Sequence, residues 1–372
     1  MRIETSAGEL VKVARQVLPA VTGRSTLPIL NHLLFHSNET GNLVIDGNDM
    51  EIWISVTAPH IRATSGSFTV DARLFTNLLS KFSATDAITL DSDDKGGCVV
   101  KSGKRKYVLA GLPADQYPQV PVSVGDKICV EMPEATLLRL IKETIYAVSV
   151  DDARAILKGV YFCENGGNMH CVATDTHRLA ISNSGVECDA TLKAILPSGF
   201  ASTVASALSD GETLVRIVFD ARSAIFTIGD LTINCRLTEG HYPNYARVIP
   251  SVHTTEVTFN REEMQAAISR LNLIAKDGVN RIVWDVNGDG IALRTEAMGN
   301  DGDEFVDAIS FTGEPFRSAL NGKYAAECFA AYECDVVRIR MSEPLKPVLI
   351  DDNDSDKMQY SIMMPMQIVG NE

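Results

Sequence analysis

Ser6-Ala-Gly-Glu-Leu-Val-Lys-Val-Ala-Arg-Gln-Val17 sets a serine three residues ahead of a glutamate and then repeats Leu10, Val13, Ala14 and Val17 at helical spacing. A hydroxyl that accepts from the backbone three residues on, with a glutamate returning the favour, marks a helix start, and the apolar spacing marks the face that packs. A second such helix begins near Met132-Pro-Glu, with Leu138, Ile141, Ile145 and Val148 on one face. A third begins at Asn260-Arg-Glu-Glu263, with Met264, Ala267, Ile268, Leu271 and Ala275. The three starts lie about a third of the chain apart. That is the signal of an internal repeat.

The rest of each third agrees. Shorter helices are expected at Asp71-Ala-Arg-Leu-Phe, Pro197-Ser-Gly-Phe and Asn321-Gly-Lys-Tyr, each followed by β-type alternation broken by polar turns, such as AITLDSDDKGGCVVKSGKRKYVLA after the first. The first two thirds close alike, with LPADQYPQVP (112–121) and TEGHYPNYARVIP (238–250). These closures divide the chain into domains at 1–125, 126–252 and 253–372. Each domain is α+β, with two helices and antiparallel strands. Like repeats tend to close around an axis, so a ring or arc is expected.

The 372 residues suit two or three domains, and 45% hydrophobic with 22% charged residues is an ordinary globular composition. The start MRIETSAGELVKVARQ has no secretory pattern and no apolar run reaches the roughly 20 residues of a membrane span, so a cytoplasmic protein is expected. Eight cysteines without a CxxC pair read as reduced, mostly buried thiols. A net charge of −14 opposes nonspecific binding of nucleic acid or membrane by the whole surface, though it leaves room for local basic patches.

Two stretches look chemical. Cys171 to Ala180, CVATDTHRLA, places Asp175, Thr176, His177 and Arg178 side by side. Locally this reads as a hydrogen-bonded turn, and a hydrolase built on Asp175 and His177 would lack a nucleophile elbow and a Gly-rich oxyanion loop. Asp285-Val-Asn-Gly-Asp-Gly290 followed by Glu296 fits a calcium loop, but RIVW before it and IALR after it are strand text, so a hairpin is the better reading and a calcium-binding β-rich module the alternative. No metal or cofactor is expected.

Arg24-Ser-Thr-Leu-Pro-Ile-Leu30, Leu112-Pro-Ala-Asp-Gln-Tyr-Pro118, Val172-Ala-Thr-Asp-Thr-His-Arg-Leu-Ala180, Tyr242-Pro-Asn-Tyr-Ala-Arg-Val-Ile-Pro250 and Met364-Pro-Met366 together resemble the bacterial DNA polymerase III β-subunit family, the sliding clamps, over the full length and in order. The resemblance implies three like domains per chain, a head-to-tail homodimeric ring around duplex DNA, and no catalysis. It implies partners held through short peptides: the polymerase subunit of DNA polymerase III, the clamp loader, and other DNA polymerases and repair proteins. It assigns the peptide pocket a floor of Leu157, Leu179, Pro243, Val248, Leu345, Ile362, Met363, Met364, Pro365 and Met366, and a rim of Thr174, Thr176, His177 and Arg178. The family usually has a smaller residue at Thr176. It also brings Leu273 and Ile274 against Tyr107 and Leu109 of the second chain.

Basic stripes on the helices are candidates for facing DNA. Lys12 and Arg15, and Arg139 and Lys142, are three apart, while Arg73, Asn77 and Lys81 step by four. A solvated helix face is the competing reading of any one pair. Arg24, Arg154 and Arg247 match basic positions that the family directs toward DNA.

Overall fold

The computed structural model describes all residues except 22–25, 94, 120–125, 277, 353–358 and 369–372. The expected helices are present: α1 (Ala7–Val17), α2 (Ala72–Leu79), α3 (Glu134–Ile145), α4 (Ser198–Ala207), α5 (Arg261–Ala275) and α6 (Gly322–Ala330). The longer helices begin at residues 7, 134 and 261, the same 127-residue interval twice. The caps are those written in the sequence. Ser6 Oγ accepts from the Glu9 amide at 3.3 Å, Asp71 from Leu74 at 2.7 Å, Asn260 from Glu263 at 3.0 Å and Asn321 from Tyr324 at 3.2 Å. Each satisfies an orphan amide and is worth about 0.5–2 kcal/mol.

Two compact units are formed, Met1–Leu137 with Thr203–Leu237 and Leu138–Ser202 with Thr238–Glu372. The first holds a four-stranded sheet in the order Arg2–Ser6, Ala87–Ser92, Cys98–Ser102, Arg105–Leu109. It also holds an eight-stranded sheet in the order Ser67–Asp71, His32–Ser37, Asn42–Asn48, Ile52–Arg62, Leu231–Arg236, Ser223–Ile228, Leu214–Phe219, Ile128–Pro133. The second unit holds a twelve-stranded sheet: Lys193–Pro197, Gly159–Asn165, Asn168–Thr174, Arg178–Glu187, Gln359–Met363, Val348–Asp351, Val336–Met341, Thr255–Asn260, Asn300–Gly313, Gly290–Ala297, Arg281–Val286, Phe316–Asn321. All strand pairs are antiparallel.

The junctions inside the large sheets repeat. Ile52–Arg62 pairs with Leu231–Arg236 in the first unit, and Arg178–Glu187 with Gln359–Met363 in the second. These are the same two positions of the repeat. The third copy of the first partner, Asn300–Gly313, pairs with Gly290–Ala297 through residues 300–307 and turns onto Thr255–Asn260 only beyond them. Among the described residues, 300–307 therefore keep one open edge, and so does Arg105–Leu109 at the end of its sheet. Open edges invite pairing with another chain.

Apolar faces of the helices close on the sheets. In the first unit Phe35 stacks on Phe68 at 4.8 Å and meets Phe75 of α2 edge-on at 5.1 Å. In the second, Ile268 and Leu271 of α5 and Phe329 of α6 bury against Phe259, Trp284 and Ile339. The calcium-like stretch is a hairpin. Val286 pairs with Ile291, the Asn287 side chain accepts from the Asp289 amide at 2.9 Å, and Asp285 faces Arg317 at 3.3 Å. All eight cysteines are free thiols, five of them buried, and burial pushes the Cys98 thiol up to about 12. No helix among the described residues is long and apolar enough to cross a membrane.

Candidate functional site

The polar run after strand Asn168–Thr174 is a tight turn built on Asp175. Its Oδ1 accepts from the backbone of His177 at 2.9 Å and of Arg178 at 3.0 Å, and Thr174 Oγ1 accepts from the Thr176 amide at 3.1 Å. Closing the turn drives Thr176 to φ 80°, the left-handed region that a β-branched residue occupies at a cost and glycine occupies freely. A smaller residue is what this backbone favours. Asp175 thus serves the backbone and Arg178, not the imidazole of His177, whose ring lies 6.2 Å from that of Tyr324. A base with its orienting carboxylate is not what this geometry provides.

Arg178, expected on the rim, lies beneath it and is only 8% exposed. Its Nε meets Asp175 Oδ2 at 3.0 Å, its Nη1 bonds Glu327, and its guanidinium lies 4.4 Å from the centre of Tyr324 and 5.3 Å from that of Tyr146. A planar cation with carboxylates at its edge and aromatic rings on its faces is fully used by the protein. Tyr146 in turn bonds Ser361 at 2.7 Å, and burial raises its hydroxyl pKa well above the ordinary value. Tyr146, Tyr324 and Glu327 carry no local signal in the sequence. Only the fold brings them to Arg178.

The apolar floor assembles from five segments. Leu179 pairs with Ile362 across the strand junction, and both are buried with Val172, Ile181 and Leu349 under Tyr242, Tyr245 and Ile249. Leu157 is buried too, and Gly240, just before Tyr242-Pro243, approaches Ile156 so closely that a Cβ there would lie 2.6 Å from its side chain. The Met364 amide donates to the His177 carbonyl at 2.8 Å, which ties the tail to the turn. Met366 donates to Ala319, beside Ser318, whose hydroxyl reaches the carbonyl preceding Leu345. Above this floor Pro243, Val248, Leu345 and Met364 are exposed and Pro365 half-buried. Met363 departs from expectation. At 2% exposure it points to the opposite face of its strand and belongs to the core under α5 and α6.

Of the basic residues, Lys12, Arg15, Arg73, Lys142 and Arg247 are exposed, and Arg24 lies outside the described residues. Arg139 is not available to a phosphate: it bonds Glu143 at 2.9 Å, Ser182 at 3.2 Å and the Asn183 carbonyl at 2.9 Å. Arg154 is exposed and its Nη1 reaches Thr176 Oγ1 at 3.3 Å, so it borders the turn. On α5, Leu273 is 67% exposed and Ile274 half-buried. Tyr107 is exposed at the open strand edge, Leu109 on the same face is buried in its own unit, and Val108, 65% exposed, lies on the opposite face.

Three family models match the chain nearly end to end: DNA polymerase III beta subunit, N-terminal domain, over residues 1–121, central domain over 131–244 and C-terminal domain over 246–367. The beta sliding clamp of Staphylococcus aureus (strain MW2) is 28% identical over 358 residues, 93% of this chain and 94% of that protein. The DNA polymerase sliding clamp from Bacillus subtilis superposes with a TM-score of 0.92 at 25% identity, over 99% of this chain and 100% of that one. A Pseudomonas aeruginosa sliding clamp bound to griselimycin gives 0.91 at 24% identity, with the same coverage.

Proposed function

Because this chain belongs to the DNA polymerase III β-subunit family, we propose that it works as a DNA sliding clamp, a ring that encircles duplex DNA and tethers the replicative polymerase. The observation that carries this is the match of three successive family domains to the three written copies of one repeat. The clamp is a processivity subunit and not an enzyme.

We assign the domains to 1–125, 126–252 and 253–372, and the ring to two chains joined head to tail. The open edge at Arg105–Leu109 and that at 300–307 support this closure, with Tyr107 and Leu109 of one chain against Leu273 and Ile274 of the other. Each exposed apolar side chain buried there contributes on the order of 1.5–3 kcal/mol before ordering costs. Replacing Leu273 and Ile274 together by Ala should therefore give monomers in sedimentation. A stable dimer would refute the interface.

The floor around Leu179 and Ile362 takes apolar anchors of partner peptides from the polymerase, the clamp loader and other polymerases and repair proteins, with Thr174, Thr176 and His177 at its rim. Exposed Met364 and half-buried Met366 suit varied anchors, since unbranched thioethers repack easily. Lys12, Arg15, Arg73, Lys142, Arg154 and Arg247 supply a weak, sequence-blind attraction to phosphates. Acting on chromosomal DNA, the ring works in the cytoplasm.

Topology gives the test. A protein held by phosphate contacts loses affinity with a log–log salt slope of roughly −0.9 per contact, whereas a closed ring is held by its own interfaces. Loaded on nicked circular DNA, the protein should stay bound near 0.5 M salt, where the Debye length is about 4 Å. Cutting the circle once should release it. Identical salt curves on circular and linear DNA would overturn the proposal.

A further inference from the structure

Strand Phe316–Asn321 turns Phe316 and Leu320 to the core and, between them, Ser318, which is buried opposite Trp284. The repeat shows what that position ordinarily holds. Four residues before the starts of the three shorter helices stand Phe68, Ala194 and Ser318, and the first two are buried apolar side chains. A hydroxyl in such a place is costly unless it is hydrogen-bonded. Ser318 Oγ donates to the Pro344 carbonyl at 2.8 Å.

That bond holds a loop which little else holds. Residues 343–346 are exposed, the Lys346 amide closes them into a turn by donating to the Glu343 carbonyl at 3.0 Å, and Thr254 fixes the chain only as far as Ser342. Pro344 and Pro347 have no N–H to give. Among the described residues, the Ser318 hydroxyl is the one group outside this turn that hydrogen-bonds to it. The turn carries Leu345, which is 59% exposed. The next residue of the same strand serves the tail, since the Ala319 carbonyl accepts from the Met366 amide at 2.7 Å. This second bond belongs to the frame, because Ile195 in the matching place accepts from the Thr238 amide at 2.9 Å. The Ser318 bond does not recur. Phe68 and Ala194 have no hydroxyl, and it is the third copy that adds one, beneath Leu345.

We infer that Ser318 is a positioning residue of the peptide site: it fixes Leu345 beside the tail, so that one strand sets both the loop wall and the Met364–Met366 wall. This role deepens the proposed function and rests on the reading of the Leu179 floor as a peptide pocket. A wall ordered before the peptide arrives spares the complex the cost of ordering it. Without the hydroxyl, the exposed turn has to be ordered by the peptide itself.

A short peptide from the DNA polymerase III polymerase subunit is titrated by calorimetry into the full-length protein and into Ser318→Ala, Leu345→Ala, the two together, and Leu179→Ala. Ala194 shows that the strand accepts alanine at this place, so Ser318→Ala should unfold with the midpoint of the unmodified protein. It should bind the peptide roughly fivefold more weakly, the worth of one hydrogen bond. In the Leu345→Ala background the same change should matter less than about twofold, because Ser318 acts through that side chain. Undiminished affinity in Ser318→Ala or in Leu345→Ala overturns the inference. So does an equal loss with and without Leu345, which would make Ser318 a general support of the fold. The pocket is judged separately by Leu179→Ala. If that variant binds as tightly as the unmodified protein, the pocket reading fails and Ser318 loses its role with it, whereas a loss there with none at Ser318→Ala leaves the pocket standing and removes only the part given to Ser318.

Discussion

The turns 48–53 and 174–179 share a backbone and differ in what stands behind it. Both close on an aspartate that accepts two amides, and both force a non-glycine residue to a φ of about 80°. Behind the second, Arg178 ties the aspartate to Glu327 and two tyrosine faces, while the matching residue of the first, Ile52, brings no charge. The walls differ likewise, Leu179 with Ile362 against Trp53 with Asn234. Duplication thus preserved the hydrogen-bonded frame, and divergence acted on the side chains it presents. Frame is fold, and the side chains are what distinguish the two copies.

The largest expected effect comes from removing the support. Arg178→Met would leave Asp175, whose side chain is 11% exposed, without its cation. Breaking a buried pair from one side costs about 3–5 kcal/mol, so unfolding of the second unit should move by that amount. Ile52→Met, at the matching place, should cost under about 1.5 kcal/mol. Denaturant unfolding of the two variants decides it, and equal losses would break the comparison. Next comes the floor: Leu179→Ala should weaken a polymerase-derived peptide by about 2 kcal/mol, roughly thirtyfold, while His177→Asn changes it less than threefold in calorimetry. An enzymatic turnover abolished by His177→Asn would refute a purely binding role. Smaller again is the backbone strain. Thr176→Gly and Met50→Gly should each stabilise by about 0.5–1 kcal/mol, because glycine enters the left-handed region without a Cβ clash. A gain at only one turn would mean that the two frames are not equivalent.

Helix starts, the three repeats and the hairpin at 285–296 were legible because they are local: a cap and its amide lie three residues apart, and alternation reveals a strand directly. The resemblance named Leu179 and Ile362, which the structure pairs and buries together, but not Val172, Ile181 or Leu349, which pack with them. What was hidden depends on distant partners or on strand parity. Glu327 lies 149 residues from Arg178, and Ser182 and Asn183 lie more than 40 residues from Arg139, so only the Asp175 and Glu143 ends of the two networks are written nearby. Met363 is a matter of parity: successive strand residues face opposite ways, so it turns to the core while Ile362 joins the Leu179 cluster, and only the assembled sheet shows which face is covered. Leu109 shares the face of Tyr107 and is covered within its own unit.

The smallest effect sharpens the comparison on the first unit alone. His36 Nε2 meets Asp46 Oδ2 at 2.9 Å, where the matching residue of the second unit is Cys163. The hydrogen bond to Asp46 raises the imidazole pKa above its ordinary value, against the lowering effect of burial. The folded chain then holds the proton more tightly than the unfolded chain does. The stabilisation is complete below the unfolded value near 6.5 and fades as pH rises through the folded value. With 33% and 24% of the two side chains exposed, solvent screening keeps it under about 1 kcal/mol. His32 and His170 are shifted downward by burial and contribute with the opposite sign, but equally in a His36→Gln variant, so they drop out of the difference. Measured by denaturant unfolding from about pH 5.5 to about pH 8.5, the stability gap between the unmodified protein and His36→Gln should narrow steadily. A gap that is constant or widens would show that the pair holds no extra proton in the folded state and that the first copy of the frame stands without it.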